Sequence, residues 1–130
     1  MKGRLFDSSA IINLCGRKKV DQLLKGCTIN LAFYELGNAI WKQVYLHKTL
    51  DLEKAELLLN ALMEVFNRMK KVDEGSAVDV LNLAVKEGLT YYDAAYLQAA
   101  INEKLVLVTD DKRLYNVSKK YVNVMSSDKV

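Results

Sequence analysis

Several residue types are scarce or absent in this chain. Its 130 residues include no proline, six glycines, two cysteines and one histidine. Because no proline-rich or low-complexity stretch marks a linker, we expect residues 1–130 to form a single domain. Cys15, Cys27 and His47 have no partners at metal-ligand spacing, so the sequence predicts no zinc site and two reduced thiols.

Long apolar runs are also lacking, because charged or polar residues interrupt every candidate of membrane-spanning length. No signal peptide is recognisable, and we therefore expect a soluble, cytoplasmic protein without membrane association. The formal net charge is only +3, which is a weak indication of a polyanionic partner. The basic residues cluster at Arg17–Lys19, Lys70–Lys71, Lys112–Arg113 and Lys119–Lys120.

Short apolar segments alternate with helical patterns along the chain. The predicted strands are Arg4–Phe6, Cys27–Leu31, Lys70–Val72, Leu105–Thr109 and Tyr121–Met125. The predicted helices are 8–14, 18–24, 32–47, one capped by Asp51 and extending through Phe66, 76–86, 91–102 and 111–119. This alternation predicts an α/β fold in which a parallel sheet has helices on both faces.

Four acidic residues, each in a different segment, are the candidate functional residues: Asp7, Glu35, Asp93 and Asp111. Asp7 closes the first predicted strand and Asp111 follows the fourth, so both belong at the sheet edge where ligands of such folds gather. Converging carboxylates in apolar surroundings repel one another unless a cation neutralises them. Hard divalent ions such as Mg²⁺ prefer oxygen ligands, and the pattern therefore indicates a metal-dependent phosphodiesterase.

Each acid also has a purely structural interpretation. Asp7 precedes a helix and has the position of a cap, and Asp93 has capping-box spacing to Thr90. Glu35 has the alternative of an exposed position on its helix. Asp110 is the expected cap of the helix in which Asp111 would occupy the first turn.

Four sequence blocks together resemble the signature blocks of PIN domains, in the family's order and across almost the whole chain. The blocks are Asp7-Ser-Ser-Ala10, Tyr34-Glu-Leu-Gly-Asn-Ala39, Leu89-Thr-Tyr-Tyr-Asp-Ala-Ala-Tyr-Leu97 and Leu107-Val-Thr-Asp-Asp-Lys-Arg-Leu114. The similarity is greatest to the single-domain VapC-type toxins of toxin–antitoxin pairs. It implies a three-layer α/β/α fold with a parallel sheet of about five strands, and a Mg²⁺- or Mn²⁺-dependent endoribonuclease.

The resemblance assigns the four acids to one site. Asp7, Glu35 and Asp93 match the family's first three acids, and Asp111 matches the fourth because it follows a threonine by two positions. Asp7 and Asp93 are implied to be the main metal ligands, with Glu35 and Asp111 binding directly or through water. Three further residues match positions that line the same pocket: Ser8, Asn38 and Thr109. Asn38 lies on the face of Glu35, where it is expected to orient that carboxylate.

The resemblance also implies an RNA substrate, a VapB-type antitoxin as partner and a homodimer. A stripe of Tyr34, Trp41 and Tyr45 is an expected interface, with stacking on RNA bases as the alternative. Two other functions remain open: a housekeeping RNA-processing nuclease of the same family, and a phosphoacceptor receiver-like signalling domain. The second is disfavoured because serines, rather than a second acid, follow Asp7.

Overall fold

The computed structural model describes residues 3–130 and contains a five-stranded parallel sheet in the order β3-β2-β1-β4-β5. The strands are β1 (Arg4–Phe6), β2 (Cys27–Thr28), β3 (Lys70–Lys71), β4 (Val106–Val108) and β5 (Val124–Met125). The α-helices are α1 (Ser8–Gly16), α2 (Val20–Leu24), α3 (Leu31–Trp41), α4 (Leu52–Arg68), α5 (Ala77–Glu87), α6 (Tyr91–Glu103) and α7 (Lys112–Ser118).

The central strands are buried on both faces, because successive side chains of a strand point in opposite directions. Leu5 and Leu107 pack into a core formed with α5, α6 and α7. Phe6 and Val108, the next residue of each strand, pack into a second core formed with α1, α2, α3 and α4. These two cores, one on each face of the sheet, confirm the predicted three-layer α/β/α fold.

The order of the strands reverses at β1, which pairs with β2 on one side and β4 on the other. In sheets of this type, the crevice beyond the carboxyl ends of such strands is the usual ligand site. Asp7 and Thr109 are the residues that follow β1 and β4. The backbone N–H of Asp7 donates to the Val108 carbonyl at 3.1 Å, which extends the pairing to this edge.

Most differences from the predicted elements concern their ends, since each strand except β1 is shorter than predicted. The largest difference is in the predicted helix 32–47, which stays α-helical only through Trp41 and continues as a π-helical segment, Lys42–Leu46. A π-helical segment has more residues per turn than an α-helix. Over five residues, the spacing of apolar residues does not distinguish the two, so the sequence does not predict it. Within residues 3–130, no helix combines the length and apolar character needed to cross a membrane.

Candidate active site

Asp7 lies at the carboxyl end of the central strand and is 4% exposed. Its Oδ1 accepts hydrogen bonds from Ser9 Oγ at 2.7 Å and from the Ala10 backbone N–H at 2.9 Å. The hydroxyl of Thr109 donates to its Oδ2. Asp7 is thus the N-cap of α1, as its structural interpretation predicts, and it is also held from β4.

Burial raises the pKa of Asp7 from its ordinary 3.8 to about 6, although the hydrogen bonds from Thr109, Ala10 and Ser9 oppose the rise. The negative charge of Glu35 adds to it. A pKa raised by both desolvation and a neighbouring charge is the pattern expected at a functional site. The capping role alone does not require this environment.

The loop after β4 connects Asp7 to Asp111. Thr109, which donates to Asp7, accepts a hydrogen bond from the Asp111 backbone N–H at 3.1 Å. Asp111 is the N-cap of α7, and its Oδ1 accepts from the Leu114 backbone N–H at 2.8 Å. The prediction that Asp110 caps this helix is therefore wrong, because Asp111 takes that position.

Asp110 points instead toward the last residues of the chain and toward α1. Its carboxylate accepts from Ser127 N at 2.8 Å, Ser127 Oγ at 2.5 Å and Asn13 Nδ2 at 2.6 Å. Its backbone N–H donates to Ser9 Oγ at 3.0 Å. The side chain of Asp110 thereby fixes the loop that carries Thr109 and Asp111 from the opposite side.

Glu35 lies in the first half of α3 and is half-buried. Its Oε1 accepts hydrogen bonds from Tyr96 Oη at 2.7 Å and from Ser8 Oγ at 3.2 Å. Tyr96 is fully buried in the core, and the carboxylate of Glu35 contributes to raising its pKa. Glu35 is therefore positioned by α1 and α6, and Asn38 lies beside it in the wall of an adjoining cleft.

Asp93 lies in the first turn of α6, where its backbone N–H donates to Thr90 Oγ1 at 3.1 Å. This is the capping contact that its spacing predicts. Burial, together with the negative charges of Asp111 and Glu35, raises the pKa of Asp93 to about 6. The hydrogen bond with Thr90 and the charge of Arg113 oppose the rise. Asp93 is thus both part of a helix start and electrostatically coupled to two other predicted acids.

The structure therefore brings the four predicted acids to one region, with Glu35 coupled to Asp7 and Asp93, and Asp93 coupled to Asp111. They form a loose cluster rather than a closed cage. No three Asp, Glu, His or Cys side chains in residues 3–130 lie close enough together to hold one metal ion as they stand. Mg²⁺ is commonly bound by one or two carboxylates, several waters and substrate phosphate, so the all-oxygen donor set still fits such an ion.

Two residues with clear roles in this geometry escaped the sequence reasoning. Ser9 bridges the Asp7 carboxylate and the loop backbone, and Tyr96 holds Glu35 from a helix 61 residues away in sequence. A tyrosine three positions after Asp93 reads as an ordinary core residue, because its spacing does not reveal the partner of its hydroxyl. The serine pair after Asp7 carries a signal for capping only.

A five-stranded parallel sheet between two helical layers, with carboxylates gathered where β1 and β4 end, defines a class of acidic-site α/β/α proteins. The PIN domain family model matches residues 4–120, and the chain belongs to this family. This membership overturns the receiver-domain alternative.

Known relatives from Pyrobaculum aerophilum agree with that assignment. The chain is 34% identical over 122 residues to "Exonuclease VapC9", covering 92% of this chain and 89% of the relative. It is 35% identical over 100 residues to "Ribonuclease VapC3", covering 75% and 74%. The crystal structure of PAE2754 has a TM-score of 0.85 and 30% identity, over 98% of this chain and 92% of that one.

The pKa of Asp7 makes stability without divalent ions dependent on pH. The folded chain holds this proton up to about pH 6, whereas the group's ordinary pKa is 3.8, so folding is favoured at low pH and loses stability as pH rises between these values. We expect Asp7→Asn to flatten this decline. At pH 7.5 in EDTA it should raise the free energy of unfolding by about 1 kcal/mol, measured by urea denaturation.

The control for this prediction is Asp21→Asn, because Asp21 is an exposed aspartate in α2. It should leave the pH dependence unchanged. A lower unfolding free energy for Asp7→Asn at pH 7.5 would mean that the capping role of this carboxylate outweighs the cost of its burial.

The hydroxyl of Tyr96 provides a second test of how the site is built. Tyr96→Phe removes the buried donor to Glu35 while keeping the ring, so we expect a loss of about 1–2 kcal/mol in the free energy of unfolding. Tyr121→Phe is the matched control, since Tyr121 also donates to a glutamate, Glu87, but is itself exposed. Equal effects of the two substitutions on urea denaturation would contradict a special role for the Tyr96 contact.

Proposed function

We propose that this chain is a metal-dependent endoribonuclease of the VapC type, which hydrolyses phosphodiester bonds in RNA. The observation that carries the proposal is the hydrogen-bond network that links Asp7 to Asp111 through Thr109. The same network holds Glu35 against Ser8, the neighbour of Asp7. The raised pKa values of Asp7 and Asp93, to which the charge of Glu35 contributes, agree with this clustering. Relatives named as an exonuclease and a ribonuclease support the same chemistry. Clustered carboxylates alone would repel the phosphate of RNA. They favour hydrolysis of a phosphodiester only when cations bind between them and the phosphate.

The proposed cofactor is Mg²⁺ or Mn²⁺, held mainly by Asp7 and Asp93, with Glu35 and Asp111 contributing directly or through water. All four side chains offer hard oxygen donors, which these ions prefer. A bound ion of this kind lowers the pKa of water and offsets charge on a phosphate. It would also relieve the burial cost that raises the pKa of Asp7.

The chain's own residues would orient the carboxylates and move one proton. Thr109 and Ser9 restrain Asp7, and Tyr96 and Ser8 restrain Glu35 through Oε1, which leaves Oε2 for another ligand. In hydrolysis a water oxygen bonds to phosphorus, the bond to the leaving ribose oxygen breaks, and that oxygen gains a proton. A carboxylate of the cluster would accept the proton that the attacking water loses.

The partners proposed are a VapB-type antitoxin and a second copy of the chain. Large apolar side chains are exposed on α4, on α5 and around the π-helical segment, among them Trp41, Tyr45, Leu57 and Val85. Exposed apolar surface on this scale is a feature of protein interaction sites. Trp41 and Tyr45 stack on each other, with ring centroids 5.3 Å apart.

Cleavage of a circular single-stranded RNA tests two points: whether the chain hydrolyses RNA with a divalent metal, and whether it cuts internally, because a circle has no ends. With Mg²⁺ or Mn²⁺ we expect linear products from the wild type, none in EDTA, and at least a ~100-fold slower rate for Asp7→Asn and Asp93→Asn because each removes a charged oxygen ligand. Products would be resolved on denaturing gels. Cleavage of linear but not circular RNA would establish an exonuclease and refute endonucleolytic cleavage.

Asp21→Asn again serves as the control and should cut at the wild-type rate. Full activity of Asp7→Asn in EDTA would eliminate the metal-dependent mechanism. Such a result would leave the family assignment intact, because that assignment depends on residues 4–120 as a whole.

Growth measurements distinguish a toxin from a housekeeping nuclease of the same family. A toxin expressed without its antitoxin degrades cellular RNA, so induction of this chain alone should arrest growth, whereas Asp93→Asn should not. Colony counts after induction provide the measurement. Normal growth with active wild-type enzyme in the cell would favour the housekeeping role.

A further inference from the structure

A cleft beside Glu35 is lined by two exposed tyrosines in addition to the acid. Its walls are Leu31, Tyr34, Glu35, Asn38 and Tyr92. Tyr34 is 71% exposed and Tyr92 is 59% exposed, so both rings are open to solvent. None of the contacts described for the acidic cluster uses either ring.

We propose that this cleft binds an unpaired nucleobase of RNA, next to the phosphate at the acidic cluster. The inference rests on the proposed nuclease function and adds the part of the substrate that the site recognises. Bases of single-stranded RNA stack on tyrosine rings, and an amide such as that of Asn38 can both donate to and accept from a base edge. Paired bases are already stacked within a helix and do not enter such a cleft.

The covalent structure places the two rings at the flanks of the site. Tyr34 immediately precedes Glu35, and Tyr92 immediately precedes Asp93. Neighbouring residues on an α-helix point about 100° apart, so each ring lies to the side of its carboxylate rather than over it. A phosphate held at the carboxylates would therefore have its adjoining base within reach of these rings.

The environment of the rings is suited to a flat, neutral ligand. Tyr34 packs edge-on against Phe33, with centroids 5.1 Å apart and an interplanar angle of 80°. This contact restrains the ring while leaving it largely exposed. An uncharged base adds no negative charge beside Glu35 in the wall of the cleft.

A second cleft adjoins the first, and both are lined by Leu31 and Tyr92. Tyr91 also lines this second cleft and is 44% exposed. The arrangement offers aromatic surface to two successive nucleotides, one in each cleft. Aromatic rings in series are how proteins bind single strands with little dependence on base sequence.

The observations favour RNA over a protein occupant at this position. Leu31 is the only aliphatic side chain among the five residues that line the first cleft, and the other four carry polar groups. The exposed surface on α5 is more apolar, with Val78 at 65%, Leu81 at 51% and Val85 at 76% exposure. Apolar contacts are typical of a homodimer interface, so that surface suits a second copy better.

The test is the affinity for a fluorescent single-stranded 12-nucleotide RNA of mixed sequence, measured by anisotropy with Ca²⁺ in place of Mg²⁺. Tyr34→Ala and Tyr92→Ala should each raise Kd about tenfold, because each removes a stacking surface. Tyr34→Phe and Tyr92→Phe retain the ring and should stay within about twofold of the wild type. Circular dichroism and Trp41 fluorescence would establish that each variant is folded.

Two matched controls localise the effect. Tyr121→Ala removes an exposed tyrosine that lines neither cleft and that precedes β5, away from the carboxyl ends of the strands, and it should leave Kd unchanged. The second control is a set of RNAs, each of which lacks the base at one position. At one position, loss of the base should weaken binding by the wild type but have little further effect on binding by Tyr34→Ala. That loss of sensitivity would assign the missing base to this ring.

The outcomes separate this inference from the proposed function. Tyrosine-dependent binding without any cleavage in Mg²⁺ or Mn²⁺ would support the base site and refute the nuclease. Normal RNA affinity of both alanine variants, or no RNA binding by the wild type at micromolar protein, would overturn the base site. Normal affinity together with a shift from dimer to monomer in sedimentation would reassign the cleft to a protein interface.

Discussion

Burial of one carboxylate at the end of the central strand is the constraint around which this site is arranged. Placing Asp7 at 4% exposure carries an electrostatic cost, which hydrogen bonds from Thr109, Ser9 and the Ala10 backbone offset only in part. These donors come from the loop after β4 and from α1, so the Asp7 carboxylate fixes both that loop and the start of α1. The unrelieved part of the cost appears as a raised pKa.

The other acids are positioned by different means. Asp111 caps α7, and Asp93 lies in the first turn of α6. Glu35 is held by hydroxyl donors from α1 and α6. A helix start provides N–H donors and a favourable dipole for an acid, which reduces the cost of bringing several carboxylates together. The structural and proposed functional interpretations of Asp7 and Asp111 are therefore compatible, since the capping contacts hold both carboxylates near the edge where β1 and β4 end.

Much of this arrangement follows from sequence, because parallel topology alone sends Asp7 and Asp111 to one sheet edge. The contacts that orient the acids do not follow in the same way. Tyr96 donates to Glu35 across 61 residues, and apolar spacing identifies a tyrosine as buried without identifying the partner of its hydroxyl. The prediction that Asp110 caps α7 fails for a similar reason, since adjacent aspartates fit a cap equally well until the position of Ser127 distinguishes them.

The π-helical segment Lys42–Leu46 continues directly from α3 and lies between α3 and the turn into α4. Glu35 lies upstream, where contacts with neighbouring elements restrain it, whereas the turn into α4 lies downstream. A π-helical turn contains more residues than an α-helical turn. Gain or loss of one residue there can therefore interconvert π and α geometry without moving Glu35. A residue could therefore be inserted or removed at this point, which would redirect the turn into α4 without displacing Glu35.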